Sequence, residues 1–179
     1  LAPLSHMALS LLGEGMVLDE QNKPIPTQEA LVQHGLIGIK LRAKDGLSLI
    51  NGTSQMLAFM TLAERRLSAL LPLADLILCT SMEARKASIK PSDQRVHDAR
   101  PHPGQGLVAR RIRTMMEHSL IVDSHSDCQR VQDAYSFRCA PQVHGAVLQR
   151  YNAMVETLEI ELNSATDNPL IFPDLKNPG

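Results

Sequence analysis

Tryptophan is absent from this chain, and its 179 residues hold only two tyrosines and three phenylalanines. A core of this size must be filled mainly by aliphatic side chains and methionine, which suits helices packed along their length. A charge excess of either sign is missing too. Eighteen Lys and Arg stand against nineteen Asp and Glu, a formal net charge of −1. That balance gives no reason to expect nucleic acid or an acidic membrane surface as partner. Cysteine is scarce and odd in number: Cys79, Cys128 and Cys139 lack CxxC spacing. They read as reduced thiols of a cytosolic protein, not as a disulfide framework. No uninterrupted apolar run is expected to span a bilayer, because Glu64, Arg65, Arg66, Asp75, Glu83 and Arg85 punctuate the greasiest region. The apolar start, Leu1 to Gly13, has no basic leader and does not read as a signal peptide. Internal repeats, low-complexity tracts and linkers are also missing, so residues 1–179 read as a single segment.

What is present is helical periodicity. Residues 4 to 12 form a short apolar helix that stops at Gly13-Glu14-Gly15. A turn-rich section with Asn22-Lys23-Pro24-Ile25-Pro26 follows, and Thr27 is a candidate N-cap for a helix ending at Gly35. Lys44 to Ile50 is another short helix, closed by the turn dipeptide Asn51-Gly52. From Thr53, Met56, Met60, Ala63, Leu67 and Leu70–Leu71 share one helical face. Pro72 should kink or interrupt that helix, which resumes from Leu73 to about Lys86. Pro101-His102-Pro103-Gly104 reads as a rigid connector, and Val108, Ile112, Met115 and Ser119 mark the next helix. The last stripe is the clearest: Val143, Val147, Tyr151, Met154, Leu158 and Leu162. It ends before Asp167-Asn168-Pro169, since the residue preceding a proline is biased out of the helical region. The expectation is an all-α, elongated helical bundle.

One segment carries a concentrated polar set. From Arg130 to Gln142 the chain reads Arg-Val-Gln-Asp-Ala-Tyr-Ser-Phe-Arg-Cys-Ala-Pro-Gln, directly ahead of the last helix. Pro141 suits a first helical position. Gln132, Tyr135 and Arg138 would then lie on a loop close to a positive helix pole, a good place to hold a carboxylate. An Arg–Asp brace through Asp133 is an equally good local reading. Local sequence leaves both open.

Three further blocks accompany that segment in order: Gly46-Leu47-Ser48-Leu49-Ile50-Asn51-Gly52-Thr53, Arg100-Pro101-His102-Pro103-Gly104-Gln105 and Thr166-Asp167-Asn168-Pro169-Leu170-Ile171. Together they resemble the aromatic amino acid ammonia-lyases, nearest the histidine ammonia-lyase branch, almost from end to end of the chain. The resemblance implies the central helices of the mainly α-helical, aspartase/fumarase-like ammonia-lyase fold, in a cytoplasmic homotetramer. It implies elimination of ammonia from an aromatic L-amino acid, first of all L-histidine to urocanate. Leu1-Ala2-Pro3-Leu4-Ser5-His6-Met7 resembles the sequence that follows the family's Ala-Ser-Gly-Asp. The family's Ala-Ser-Gly cyclises autocatalytically into a methylidene-imidazolone electrophile, which is thus expected upstream of Leu1. By the same resemblance Arg138 holds the substrate carboxylate, and Asn168 approaches it. Asn51 lies beside electrophile and amine, while Tyr135 and Gln132 hydrogen-bond around both.

Each of these residues also has a plainer reading. Asn51 read alone favours a turn with positive φ; Tyr135 could pack over the helix start, and Asn168 could form an Asx-type turn. His97 and His102 lie five apart across a proline, with no cysteine nearby to complete a zinc pattern. His125 and His144 read as satisfied or solvent-facing, Cys139 as a packed thiol and the eight methionines as core fillers. Arg110, Arg111 and Arg113 read as a solvated helix face, and Tyr151 as packed. Ala134 and Ala140 depart from the Pro and Gln frequent in the histidine enzymes; bacterial tyrosine lyases and aminomutases can show Ala-Tyr here. The alternatives are therefore a tyrosine or phenylalanine lyase, an aminomutase, or a non-catalytic helical module that keeps the scaffold.

Overall fold

A computed structural model describes residues 1–172 and is helical, as the periodicity requires. The chain forms two compact units, residues 1–59 with those from 161 onward, and residues 60–160. Neither division falls at a linker. One cuts helix α4 (Ser54–Ala84) and the other cuts helix α9 (Ala140–Leu162).

In the first unit, α1 (Ala2–Leu12) ends where Gly13 turns left-handed, at φ 81. The turn-rich section then forms something the periodicity did not show, a two-stranded antiparallel hairpin of β1 (Met16–Leu18) and β2 (Pro24–Pro26). Three residues per strand are too few to display alternation, and two of the six are proline. Asn22 at φ 60 and the Asp19 carboxylate, which accepts from the backbone of Gln21 and Lys23, close the turn. Thr27 is the first residue of α2 (Thr27–Gln33) and not its cap, and it is buried. Helix α3 runs from Asp45 to Ile50, one residue inside the expected range.

The second unit holds the hydrophobic core. Leu78, Cys79 and Met82 of α4 pack with Val108, Ile112 and Met116 from α6 (Pro103–Met115) and its C-cap, and with Ala140 and Leu148 of α9. Short helices α5 (Gln94–Asp98), α7 (Leu120–Asp123) and α8 (Tyr135–Arg138) lie between the long ones in sequence. At one helix crossing glycine is required by space. A Cβ on Gly104 would meet the Gly145 carbonyl oxygen at 2.2 Å, and one on Gly145 would meet the Gln105 nitrogen at 2.4 Å. Backbone cannot yield there as a flexible side chain can.

Several expectations change. Helix α4 continues through Pro72, because losing one internal hydrogen bond costs a 31-residue packed helix less than ending it would. Pro103 and Gly104 belong to α6, so the connector stops at His102; Ser119 caps α7 rather than extending α6. The buried face of α4 is Asp75, Leu78, Cys79 and Met82, whereas Met56, Met60 and Leu70 are exposed. Val143, Val147 and Leu162 of the α9 stripe are exposed too, and of the methionines only Met82 and Met116 join the core cluster. Periodicity finds an apolar face but not what will cover it. Similarly, the 18 residues between Arg66 and Arg85 carry only Asp75 and Glu83. By length and composition this region is long and apolar enough to cross a membrane, which the charge count had argued against.

Candidate active site

The two arginines of the segment from Arg130 to Arg138 have different partners. Arg130 makes the brace: its Nη1 donates to Asp133 Oδ1 at 2.9 Å, while Asp133 Oδ2 accepts the Ser88 N–H at 2.7 Å. Burial alone would raise the Asp133 carboxyl, but the Ser88 N–H and Arg130 outweigh it and hold it below the usual range. Arg138 is left without a carboxylate among the described residues. Its Nη1 donates to Gln132 Oε1 at 2.8 Å, and its guanidinium lies 4.8 Å from the centre of the Tyr135 ring. Both contacts are to neutral groups, so its full charge stays available.

Tyr135 and Arg138 are not on an open loop as expected. They occupy the single turn of α8, where residues three apart share a side, and Phe137 between them packs against the core. Tyr135 is 71% exposed, and Gln132 is exposed as well. Helix α9 starts at Ala140, two residues after Arg138, with Pro141 second and buried. Cys139 caps α8 through its backbone N–H, which donates to the Tyr135 carbonyl.

A cavity of about 510 Å³ is lined by two of the trio, Gln132 and Arg138. Arg130 and Asp133 line it too, as do Lys86 and Lys90. Periodicity could not single out those lysines, since each looks like a surface residue after the end of α4.

Asn51 and Asn168 meet in the other unit. The Asn51 Nδ2 donates to the Asn168 carbonyl oxygen at 3.2 Å, an assignment fixed by chemistry because a carbonyl only accepts. Its Oδ1 therefore remains as a free acceptor among the described residues. The Asn51-Gly52 turn does close α3, but its positive φ of 98 belongs to Gly52, while Asn51 has φ −102. That glycine is needed twice over, since a Cβ there would come within 2.8 Å of Thr166 Oγ1. The neighbouring turn is fastened by Asp167, whose Oδ2 accepts from Lys44 Nζ at 2.6 Å and Ser48 Oγ at 2.9 Å. Lys44 first and Ser48 second hold the Asp167 carboxyl below its ordinary range. Thr53 completes the attachment through Glu161, at 2.6 Å. The Asp167 clamp went unseen in sequence because its partners are more than a hundred residues away. A second cavity, of about 400 Å³, is lined by Leu1, Leu4, Asn51 and Gly52.

The remaining polar candidates have structural roles. Buried His97 donates from Nε2 to the Pro91 carbonyl and accepts at Nδ1 from the Gln105 amide, each at 3.0 Å. No group of three or more metal-ligating side chains occurs among the described residues. His144 Nδ1 and Arg111 Nη1 both reach the buried Asp75 carboxylate, at 2.8 and 3.2 Å. Arg113 donates to the Ser92 carbonyl and to Gln94, so the expected solvated face keeps only Arg110 outside. The readable signal was Asp75 itself, a lone charge placed four after Leu71 and three before Leu78. Cys79 is buried, and its thiol is pushed up to about 11, by burial first and then by Asp75 and Glu83. A thiol so disfavoured as thiolate is a poor nucleophile.

The profile described as aromatic amino acid lyase matches residues 1–178. A histidine ammonia-lyase of Sorangium cellulosum (strain So ce56) is 48% identical over 172 residues, covering 96% of this chain and 33% of that protein. The crystal structure of histidine ammonia-lyase from Trypanosoma cruzi superposes with a TM-score of 0.83 at 41% identity, covering 99% of this chain and 32% of its own. A tyrosine aminomutase from Streptomyces globisporus gives a TM-score of 0.81 at 39% identity, with 96% and 36% covered. The chain thus spans about a third of the length of the relatives it matches. With its profile matched almost throughout and its helices superposed on solved members, this chain belongs to the aromatic amino acid lyase family.

Proposed function

We propose that the intact polypeptide carrying this chain eliminates ammonia from L-histidine to give urocanate, with Arg138 as the carboxylate anchor. One observation carries the reading: Arg138 has only neutral partners, Gln132 and the Tyr135 ring, while the neighbouring carboxylate is already engaged by Arg130. A planar fork with unused N–H donors suits a carboxylate bidentately.

The chemical difficulty is the β-proton, which is too weakly acidic for an ordinary side-chain base to remove unaided. The family's methylidene-imidazolone supplies an electrophile that makes the substrate amine a better leaving group. The donor set fits such a group. The resemblance places Ala-Ser-Gly ahead of Leu1, and Leu1 lines the same cavity as Asn51. This chain's own residues bind and orient. Asn51 presents its Oδ1 acceptor to an amine N–H, while its Nδ2 holds the Asn168 carbonyl. Gln132, with Oε1 occupied by Arg138, keeps its NH₂ as a donor. The Tyr135 hydroxyl both donates and accepts.

The assembly we propose is a cytoplasmic homotetramer. Exposed Phe59, Leu62, Leu73, Leu76 and Ile77 on α4 support subunit contact, since so many apolar side chains along one helix need a cover. The three free cysteines support a reducing compartment.

Incubating the intact polypeptide with L-histidine, L-tyrosine and L-phenylalanine tests the reading by product absorbance. Urocanate with released ammonia is expected. Coumarate, cinnamate or a β-amino acid would assign the tyrosine, phenylalanine or aminomutase chemistry instead, and no turnover of any of them would leave a scaffold. The isolated 179 residues should form no product, because binding without the activating group leaves the chemical barrier in place.

A further inference from the structure

The cavity beside α8 holds more positive charge than its internal contacts use. Lys86, Lys90, Arg130 and Arg138 line it, and Asp123 and Asp133 supply the only carboxylates in its wall. Four cations against two carboxylates leave an excess of two positive charges. Asp133 is fully engaged, by Arg130 and by the Ser88 N–H. Among the described residues, no ion pair reaches Lys86, Lys90 or Asp123. His125, also in the wall, keeps its Nδ1 on the Ile121 carbonyl.

The backbone gives a second reason to ask why a lysine is there. Lys86 has φ 48, at the left-handed position that closes α4. Its N–H bonds the Glu83 carbonyl at 3.0 Å, and the Ala87 N–H bonds that of Met82 at 2.8 Å. Glycine is the low-cost residue for such a closure, and a side chain adds strain. The fold alone therefore favours glycine at position 86. The charged cavity wall is what a lysine there contributes.

We propose that Lys86 and Lys90 form an anion subsite in this cavity, beside Arg138, which takes a small dianion of phosphate or dicarboxylate chemistry. A dianion matches the excess of two charges; a monoanion leaves one uncompensated. Bound there, it lies on the same cavity wall as Arg138 and weakens Arg138's hold on a substrate carboxylate. That consequence rests on the lyase reading, whereas the subsite itself does not.

The test is calorimetric titration of the intact polypeptide with inorganic phosphate and, separately, with succinate, at constant ionic strength set by chloride. Binding of either is expected, and which one binds identifies the chemistry. Lys90→Met should weaken it roughly tenfold or more, as loss of a charged hydrogen bond requires. Lys86→Gly should weaken it similarly while its melting temperature holds or rises, because glycine relieves the left-handed backbone. A packing role for Lys86 would move stability and affinity down together. Lys90→Arg keeps the charge and should stay within about threefold of wild type, which guards against a misfolded Met variant. The subsite is overturned if neither anion binds more tightly than chloride, or if both substitutions leave the affinity unchanged. Heats of binding do not depend on ammonia release. An inactive polypeptide that binds either anion through Lys86 and Lys90 would sink the lyase reading alone, and an active one whose anion affinity neither substitution changes would sink the subsite alone.

Discussion

The turn at Thr166–Asn168 and the segment from Arg130 to Arg138 are both short, polar and next to a long helix, yet they settle their charges differently. Asp167 has Lys44 and Ser48 on the same carboxylate oxygen, at hydrogen-bonding distance. Arg138 has a neutral amide and an aromatic ring. A charge matched inside the chain holds the chain together; a charge matched by nothing charged is available to a ligand. The contrast recurs within the second region. Arg130 is paired to Asp133 eight residues before Arg138, which is not paired to any carboxylate among the described residues.

The largest effect expected from breaking this contrast is on catalysis. Arg138→Lys keeps the positive charge and removes the fork, and on the proposed lyase activity of the intact polypeptide it should lower kcat/KM roughly 30- to 5,000-fold, a loss of about 2–5 kcal/mol. Steady-state kinetics measure it, with unchanged thermal melting as the companion result. Tyr135→Phe comes next. Its hydroxyl is exposed and has no partner among the described residues, so melting should not move. Turnover should fall on the order of 10²-fold, the lower end for a positioned proton donor or acceptor. A lower melting temperature with normal specific activity in the folded remainder would return Tyr135 to a packing role.

Asp167→Asn should act in the opposite sense, on stability and its pH dependence. The folded carboxyl is held below its ordinary range by Lys44 and Ser48, so the unfolded state binds the proton more readily. The increment it contributes is present above the unfolded value and is lost as pH falls through the folded value beneath it. Melting curves from neutral to acidic pH should show wild type losing an increment that the Asn variant never had. Parallel curves would remove Asp167 as a clamp. The smallest effect belongs to Arg130→Gln. Arg130 is 52% exposed and Asp133 8%, and Asp133 keeps the Ser88 N–H, so losing the pair should cost about 1 kcal/mol. Kinetics should stay within about threefold of wild type, and a loss as large as that of Arg138→Lys would erase the distinction between the two arginines.

How much of this was legible beforehand follows a physical line. Helices α1, α3 and α9 announce themselves through local signals: Gly13 as a left-handed stop, Asn51-Gly52 as a turn and Pro141 near a helix start. The polar trio was legible because its members lie within seven residues of one another. The Asp167 clamp and the Asp75 cluster were not, because Lys44 and Asp167 are 123 positions apart and His144 and Asp75 are 69 apart. No periodicity encodes which distant charge will arrive. The hairpin was missed for lack of length, and the covered face of α4 because apolar stripes exceed the core that one chain builds.

The central claim is that the Arg138 guanidinium and a substrate carboxylate recognise each other directly. A double-mutant cycle measures this: equilibrium binding of urocanate and of its neutral carboxamide to the intact wild-type enzyme and to Arg138→Gln. The account predicts that the substitution weakens urocanate strongly and the carboxamide little, a coupling of about 1.5 kcal/mol or more. Equal weakening of both ligands, a coupling near zero, would contradict it.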